Sequence, residues 1–81
     1  MKLHEHSQFV LTEEVTGDED EKLMPGDVGV IVHIHPGYQA FVAEFVSLNG
    51  NSAVIATVLS TQARSVTDKE IVHARSLEVA A

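Results

Sequence analysis

The sequence predicts a mainly β domain, namely a small five-stranded antiparallel barrel followed by a short C-terminal helix. Runs of β-branched and aromatic residues, which favour strands, alternate with turn signals such as Asn49-Gly50. The 81 residues are enough for one domain with a modest core. Many short strands with one apolar face remove their edges by closing into a barrel. We therefore divide the chain into a flexible N-terminus at 1–8, a barrel at 9–66, and a helix with a tail at 67–81.

The central strand is predicted between two turn signals, Pro25-Gly26 and Pro36-Gly37. Proline presets φ and glycine accepts a positive φ, and a tight turn needs this combination. Three valines and two isoleucines lie between the turns, and such residues lose less freedom in a strand than in a helix. Gly29, near the start of the strand, predicts a β-bulge or a close approach of another backbone.

Alternation of side chains predicts the faces of the third strand. The five strands are expected at residues 9–12, 28–35, 40–46, 53–59 and 63–66, with a 3₁₀ turn at 60–62. In the third strand Phe41, Ala43 and Phe45 share one face, which we assign to the core. This assignment leaves Val42 and Val46 on the outer face, where they are candidates for binding a partner.

The fourth strand is apolar on both faces, so its periodicity alone does not choose the inner one. We assign Val54 and Val58 to the core, which places Ile55 and Leu59 outside. Ile31 of the central strand is also expected outside. Surplus apolar surface of this kind predicts a protein interface unless the C-terminal helix covers it.

The C-terminal segment carries a capping box, in which Thr67 and Glu70 can each bond the other's backbone. This pattern predicts a helix of two turns over residues 67–75. The alternative is a sixth strand, because Ile71-Val72 is β-branched. Residues 76–81 are expected to be frayed.

The chain is acidic, with 12 Asp and Glu against 5 Lys and Arg and a net charge of −7. A field of this sign repels phosphate backbones, so we expect no nucleic-acid partner, whereas a basic protein would be attracted. The alternative is that the charge only keeps a small domain soluble. We expect either a protein partner or self-association.

Six of the acids are concentrated between residues 13 and 22. Their mutual repulsion predicts an extended, solvated loop, and their spacing does not match a calcium-binding EF-hand loop. The loop is the predicted contact for a basic partner. The candidate residues are Glu13, Glu14, Asp18, Glu19, Asp20 and Glu21.

Five histidines are the most unusual count in the composition. His33 and His35 are two residues apart on one strand, so they share a face and can hold one Zn²⁺ if a third ligand joins them. His73 or a carboxylate is the candidate third ligand. The alternative is that both are polar residues on the exposed face of a strand whose inner side carries Val32 and Ile34. His4 and His6 have the same spacing in the predicted flexible end.

Other classes of function lack a signal in the sequence. The chain has no cysteine, which suits a reducing cytoplasm and excludes disulfides and thiolate metal sites. The first residues contain no apolar segment typical of a signal peptide, and no apolar run is as long as a membrane span. No nucleophile motif and no phosphate-binding loop is found. We therefore expect no enzyme activity, no cofactor and no membrane association.

Four segments resemble, in order, a family of small bacterial domains of unknown function. The segments are Phe9–Thr12, Pro25–His33, Ala43–Val46 and Ala63–Val66. The resemblance covers roughly residues 8–66 and implies an SH3-like barrel, related in shape to ribosomal KOW-type domains. Such domains tend to be encoded near toxin or effector genes, which implies an antitoxin or immunity role. The turn at Pro25-Gly26-Asp27 departs from the family's Lys-Gly-Asp, and the acidic loop is longer.

These observations together predict a non-catalytic, cytoplasmic protein-binding module that masks a basic effector with its acidic loop. Two alternatives remain open. One is a small metal-binding protein that uses His33, His35 and His73. The other is a homo-oligomeric structural domain.

Overall fold

The computed structural model describes residues 2–79, which form eight strands and one 3₁₀ turn. The strands are β1 (Gln8–Leu11), β2 (Val15–Thr16), β3 (Glu21–Leu23), β4 (Val28–Ile34), β5 (Ala40–Val46), β6 (Ala53–Leu59), β7 (Ala63–Ser65) and β8 (Glu78–Val79). The 3₁₀ turn, Ser60–Gln62, joins β6 to β7. The mainly β class and the five predicted strands are confirmed. No helix in the described part of the chain is long and apolar enough to cross a membrane.

The strands form two antiparallel sheets. The larger sheet has the order β6-β5-β4-β1-β7, and the smaller has the order β2-β3-β8. Strand pairing within residues 2–79 does not close the larger sheet into the predicted barrel, because β6 and β7 remain its two edges. A backbone hydrogen bond of 2.8 Å from Asp18 N to Ile55 O meets the edge of β6 where a closed barrel would have another strand.

The core lies on one face of the larger sheet, and the predicted faces of β5 and β6 are confirmed. The inward residues of β5 and β6 are all buried: Phe41, Ala43, Phe45, Val54, Ala56 and Val58. The Phe9 ring of β1 packs edge-on against Phe41 and Phe45, with ring centroids 4.9 and 5.5 Å apart. The prediction that Ile31 lies outside is wrong, since its side chain is fully buried.

An irregularity in β4 explains the position of Ile31. Ile31 pairs with Ala43, but the next pair along the ladder is His33 with Val42. Val32 is therefore the extra residue of a β-bulge. The bulge lets Ile31 face the core and still leaves Ile34 packed against it. The bulge predicted at Gly29 is therefore three residues away. Gly29 instead allows the close approach of aromatic rings, because a Cβ there would lie 2.8 Å from Phe9 and Phe45 carbons.

The acidic segment is a β-hairpin and not the predicted solvated loop. Val15 on β2 pairs with Leu23 on β3, and both side chains are buried. The free energy gained by burying these two residues outweighs the repulsion between exposed carboxylates, which water and salt screen. Glu21 is also buried, and its Oε1 accepts a 3.0 Å hydrogen bond from the Glu19 backbone N–H across the turn.

The helix predicted over residues 67–75 is wrong, because this segment has a turn at residues 68–69 and is otherwise irregular. A helix there would have gained little, since Ile71 is 90% exposed and no core face covers it. Glu70 does accept a 2.8 Å hydrogen bond from Thr67 N–H, as in a capping box, but its carboxylate also binds the Arg64 guanidinium. The alternative sixth strand at residues 71–72 is not formed either. Residues 78–79 pair with β3 instead of fraying, whereas 80–81 lie outside the described residues.

Candidate functional site

The predicted acidic candidates divide into an exposed group and one buried residue. We call the exposed group the acidic arm, and its members are Glu13, Glu14, Asp18, Glu19 and Asp20. The ion pairs within residues 2–79 use the carboxylates of Glu5, Asp27 and Glu70, so none of the acidic arm is neutralised by a cation. Glu21 cannot contact a partner directly, because it is buried against its own turn.

The acidic arm follows the edge of β6. Near the end of the strand, Thr12 N–H donates to Gln62 O at 2.8 Å, and Gln62 Nε2 donates to Glu13 Oε1 at 3.1 Å. Further along, Asp18 N–H donates to Ile55 O at 2.8 Å. These bonds attach the arm at Glu13 to the turn after β6 and at Asp18 to the edge of β6. The backbone of the arm is therefore held beside β6 at Asp18, and the Glu13 side chain is held at the turn that follows β6.

Apolar side chains lie on the outer face of the adjoining strands. We call this surface the outer patch, and its members are Val42, Val46, Ile55 and Leu59. The relative exposure is 52% for Val46, 37% for Ile55 and 50% for Leu59, while Val42 is half-buried. The strand β6 has seven residues without a charge or a proline. A strand of this kind does little to prevent association along the part of its edge that the acidic arm leaves open. The structure thus brings the two predicted classes of partner contact, acidic and apolar, onto neighbouring surfaces.

A groove of about 450 Å³ lies beneath the C-terminal segment. Phe45, Val46 and Val54 line it on one side, and Val72, His73 and Leu77 on the other. The segment is held in place by Arg75, which binds the Asp27 carboxylate and donates a 3.0 Å hydrogen bond to Lys22 O. His73 belongs to this groove.

A second depression, of about 510 Å³, is lined by histidines. Its residues come from the N-terminal segment and from the end of β4 with its following turn: Leu3, His4, Glu5, His33, His35 and Tyr38. The rings of His33 and His35 have centroids 5.8 Å apart, so the prediction that they share a face is confirmed. His33 Nδ1 lies 3.8 Å from Glu5 Oε2.

The structure therefore brings His33 and His35 together but does not bring His73 to them. A carboxylate was the alternative third ligand, and Glu5 lies beside His33, while His4 lines the same depression. The sequence carried a signal for them in the His4-x-His6 spacing, but their position depends on tertiary contacts. Leu3 is buried and His6 N–H donates to Ile31 O at 2.6 Å, and these contacts hold the first residues against β4. Within residues 2–79, no group of three or more His, Asp or Glu side chains is placed so that it could hold a metal ion.

Three shifted pKa values mark the attachment of the C-terminal segment. Hydrogen bonds from Arg64, and then from Thr67 N–H, lower the pKa of Glu70 to about 2. The hydrogen bond to Glu70 raises the pKa of Arg64, and that to Asp27 raises the pKa of Arg75. Each shift belongs to an exposed or partly exposed ion pair, which is a structural arrangement rather than an acid–base site.

No protein-family model, no curated protein and no solved structure matches this chain. Its function is therefore inferred from the surfaces described above.

Proposed function

We propose that this chain is a non-catalytic protein-binding module that takes a basic protein partner on the acidic arm and the outer patch. The proposal rests on five carboxylates of the acidic arm that form no ion pair within residues 2–79, and on the attachment of the arm, at Glu13 and Asp18, beside an uncharged, partly exposed strand. The apolar residues contribute buried area and the carboxylates contribute attraction and register, as in other protein interfaces.

Charge decides which macromolecule is favoured. The net charge of −7 repels nucleic acid and another copy of the same chain, and it speeds the approach of a basic protein. Self-association through β6 would bring two acidic arms close together, so we place the homo-oligomer second. A partner with Lys or Arg beside apolar residues would complement both the acidic arm and the outer patch.

The proposal includes the arrangement of the strands. We infer an SH3-like arrangement of strands, supported by the 3₁₀ turn between β6 and β7 and by the return of β7 to pair with β1. The family resemblance extends the proposal to an antitoxin or immunity role in a bacterial cytoplasm, in which the acidic arm masks a basic effector.

Binding of a synthetic probe tests the proposal. The probe is a short peptide in which Lys alternates with Val, and the control peptide has Glu in place of Lys. We expect the Lys peptide to bind the full chain in calorimetry and to shift amide resonances of residues 13–20 and 53–59. Binding should weaken when salt rises from about 0.15 M to about 1 M, which shortens the Debye length from about 8 Å to about 3 Å.

Matched variants locate the surface. Removing three carboxylates of the acidic arm (D18N/E19Q/D20N) should weaken binding about tenfold, because exposed charge pairs contribute about 0.2–1 kcal/mol each and about 1.4 kcal/mol is a factor of ten. The control triple variant E5Q/D68N/E78Q changes the net charge equally elsewhere and should have little effect.

The apolar half has its own pair of variants. Leu59→Thr changes the outer patch and should weaken binding, whereas Leu48→Thr changes an exposed leucine that lies outside it. Equal binding of the Lys and Glu peptides, or equal effects of the two triple variants, would contradict the proposal. A concentration-dependent dimer that blocks peptide binding, measured by light scattering, would favour the homo-oligomer.

A further inference from the structure

We propose that β3 and Asp27 form a docking site for an extended, arginine-containing segment of another protein, and that the chain's own C-terminal segment occupies this site until a foreign segment displaces it. The site shares only Val46 with the outer patch and no residue with the acidic arm, so it does not depend on the basic partner proposed above. The segment that is seated on the site shows which chemistry the site accepts.

The first part of the site recognises a guanidinium group. Arg75 donates from Nε to Asp27 Oδ1 at 2.9 Å and from Nη2 to Asp27 Oδ2, and Nη2 also donates to Lys22 O at 3.0 Å. The Asp27 carboxylate is fixed by its own turn, because its Oδ2 accepts a 2.8 Å hydrogen bond from Met24 N–H. A fixed carboxylate with a backbone carbonyl beside it favours the planar fork of arginine over lysine.

The second part of the site is one edge of β3. Within residues 2–79, the strand on that side of β3 is β8, which has two residues and places Glu78 opposite Lys22. Release of β8 would leave the backbone groups of β3 on that side without a strand partner, and a sheet edge in this state binds an extended chain through main-chain hydrogen bonds. The occupant therefore runs antiparallel to β3, with its arginine three residues before the residue opposite Lys22.

The third part of the site is the groove of about 450 Å³ between the C-terminal segment and the larger sheet. Phe45 and Val54 line it on the sheet side, while Val72 and Leu77 of the segment remain 66% and 45% exposed. The chain's own segment thus leaves apolar surface uncovered. A foreign segment with a larger apolar side chain in the place of Val72 would bury more of this surface and would therefore bind more tightly than the resident one.

The C-terminal segment is attached in a way that permits its displacement. All residues from Arg64 to Val79 are exposed, so release of the segment uncovers no buried side chain of its own. Within residues 2–79, the side-chain hydrogen bonds that tie residues 71–79 to the rest of the domain come from Arg75. A partly exposed ion pair and two paired strand residues stabilise little. Local release therefore costs much less free energy than unfolding of the core.

Peptide titration of the full chain, followed by NMR of its amides, tests the proposal. The reference peptide has the sequence of residues 69–79, and a second peptide carries Val72→Phe. The wild-type chain should bind the reference peptide only at roughly millimolar concentration, because the tethered segment competes at an effective concentration of that order. The Val72→Phe peptide should bind at least about threefold more tightly. Both should shift the amides of residues 21–23, 45–46 and 75–79.

Arg75→Met in the chain weakens the resident segment and leaves the site itself intact. The reference peptide should then bind about fivefold more tightly than it binds the wild type, since a partly exposed ion pair contributes a factor of this size. The control Lys2→Met removes the same charge outside the site and should leave the affinity unchanged. A reference peptide with Arg75→Lys should bind the Arg75→Met chain more weakly, because lysine cannot make the paired hydrogen bonds to Asp27.

Equal affinity of the wild-type and Arg75→Met chains for the reference peptide would overturn the proposal, as would equal binding of the arginine and lysine peptides. Absence of binding to the Arg75→Met chain at millimolar peptide would also overturn it. A wild-type dimer in light scattering that Arg75→Met disrupts would show that the occupant is a second copy and not a foreign protein. The triple variant D18N/E19Q/D20N should bind the reference peptide as the wild type does, which separates this site from the acidic arm.

Discussion

Substitution of Gly29 by alanine tests the packing of the core. The new Cβ would lie 2.8 Å from Phe45 Cε2, 2.8 Å from Phe9 Cζ and 2.9 Å from Phe9 Cε1. Carbon atoms in contact prefer separations of about 3.5–4.0 Å. The overlap therefore approaches 1 Å against two rings, and neither ring has free space, since Phe9 is fully buried and Phe45 is 7% exposed.

Two opposing effects determine the sign of the change. Without a clash, Gly→Ala in a strand would stabilise the protein by about 0.5–1 kcal/mol, because it restricts the unfolded chain. Overpacking a core costs about 1–3 kcal/mol. We expect Gly29→Ala to lower the free energy of unfolding by about 1–2 kcal/mol net. The melting temperature of a domain of this size should then fall by about 5–15 °C.

Urea unfolding followed by circular dichroism measures this change, and a second variant isolates its cause. Phe45→Leu replaces one of the two rings that the new methyl group meets with a smaller aliphatic side chain. In a double-mutant cycle, Phe45→Leu should destabilise the Gly29→Ala background less than the wild type. An alanine variant as stable as the wild type, or more stable, would refute the proposed ring contact. An additive cycle would refute the role of Phe45.

Three further outcomes concern the hairpin and the C-terminal segment. Arg75→Met removes the ion pair with Asp27 and should speed amide exchange in residues 75–79 with little change in the melting temperature; unchanged exchange would contradict this role. The pKa of Glu70 is about 2, against an ordinary value of 4.5, so its stabilising contact is complete above pH 4.5 and is lost as pH falls through about 2. Arg64→Met should return that pKa towards 4.5 in a carboxyl NMR titration, and a wild-type value already near 4.5 would contradict the contact. Glu21→Ala removes the acceptor of the Glu19 backbone N–H and should lower the free energy of unfolding in urea by about 1–2 kcal/mol. Glu21→Gln retains an acceptor oxygen and should lower it less. Equal losses for the two variants would argue against the hydrogen bond.

Alternation predicted the faces of the regular strands well. Phe41 and Val58 lie inside as expected, because side chains of an uninterrupted strand point to opposite faces in strict turn. The same rule misplaced Ile31, since one bulge reverses the alternation and leaves no mark in a single sequence.

The other errors have a common physical cause, which is that local patterns compete with tertiary contacts. The dense charge over residues 13–22 predicted a loop, but burial of Val15 and Leu23 stabilises a hairpin there. A capping box suggested a helix after Thr67, but no core face was available to stabilise one. The shared face of His33 and His35 followed from spacing on one strand, whereas the approach of Glu5 depends on how the N-terminal segment packs.

The β-bulge at Val32 lets one strand place apolar residues in the core and histidines on the outer face. If β4 paired without interruption, the residues after Ile31 would exchange faces, sending both imidazoles inward and Ile34 into water. Deletion of Val32 alone would therefore leave the core-facing residues of β4 facing the core. Insertion of one residue between Ile31 and Ile34 would turn Ile34 outward unless a second bulge formed.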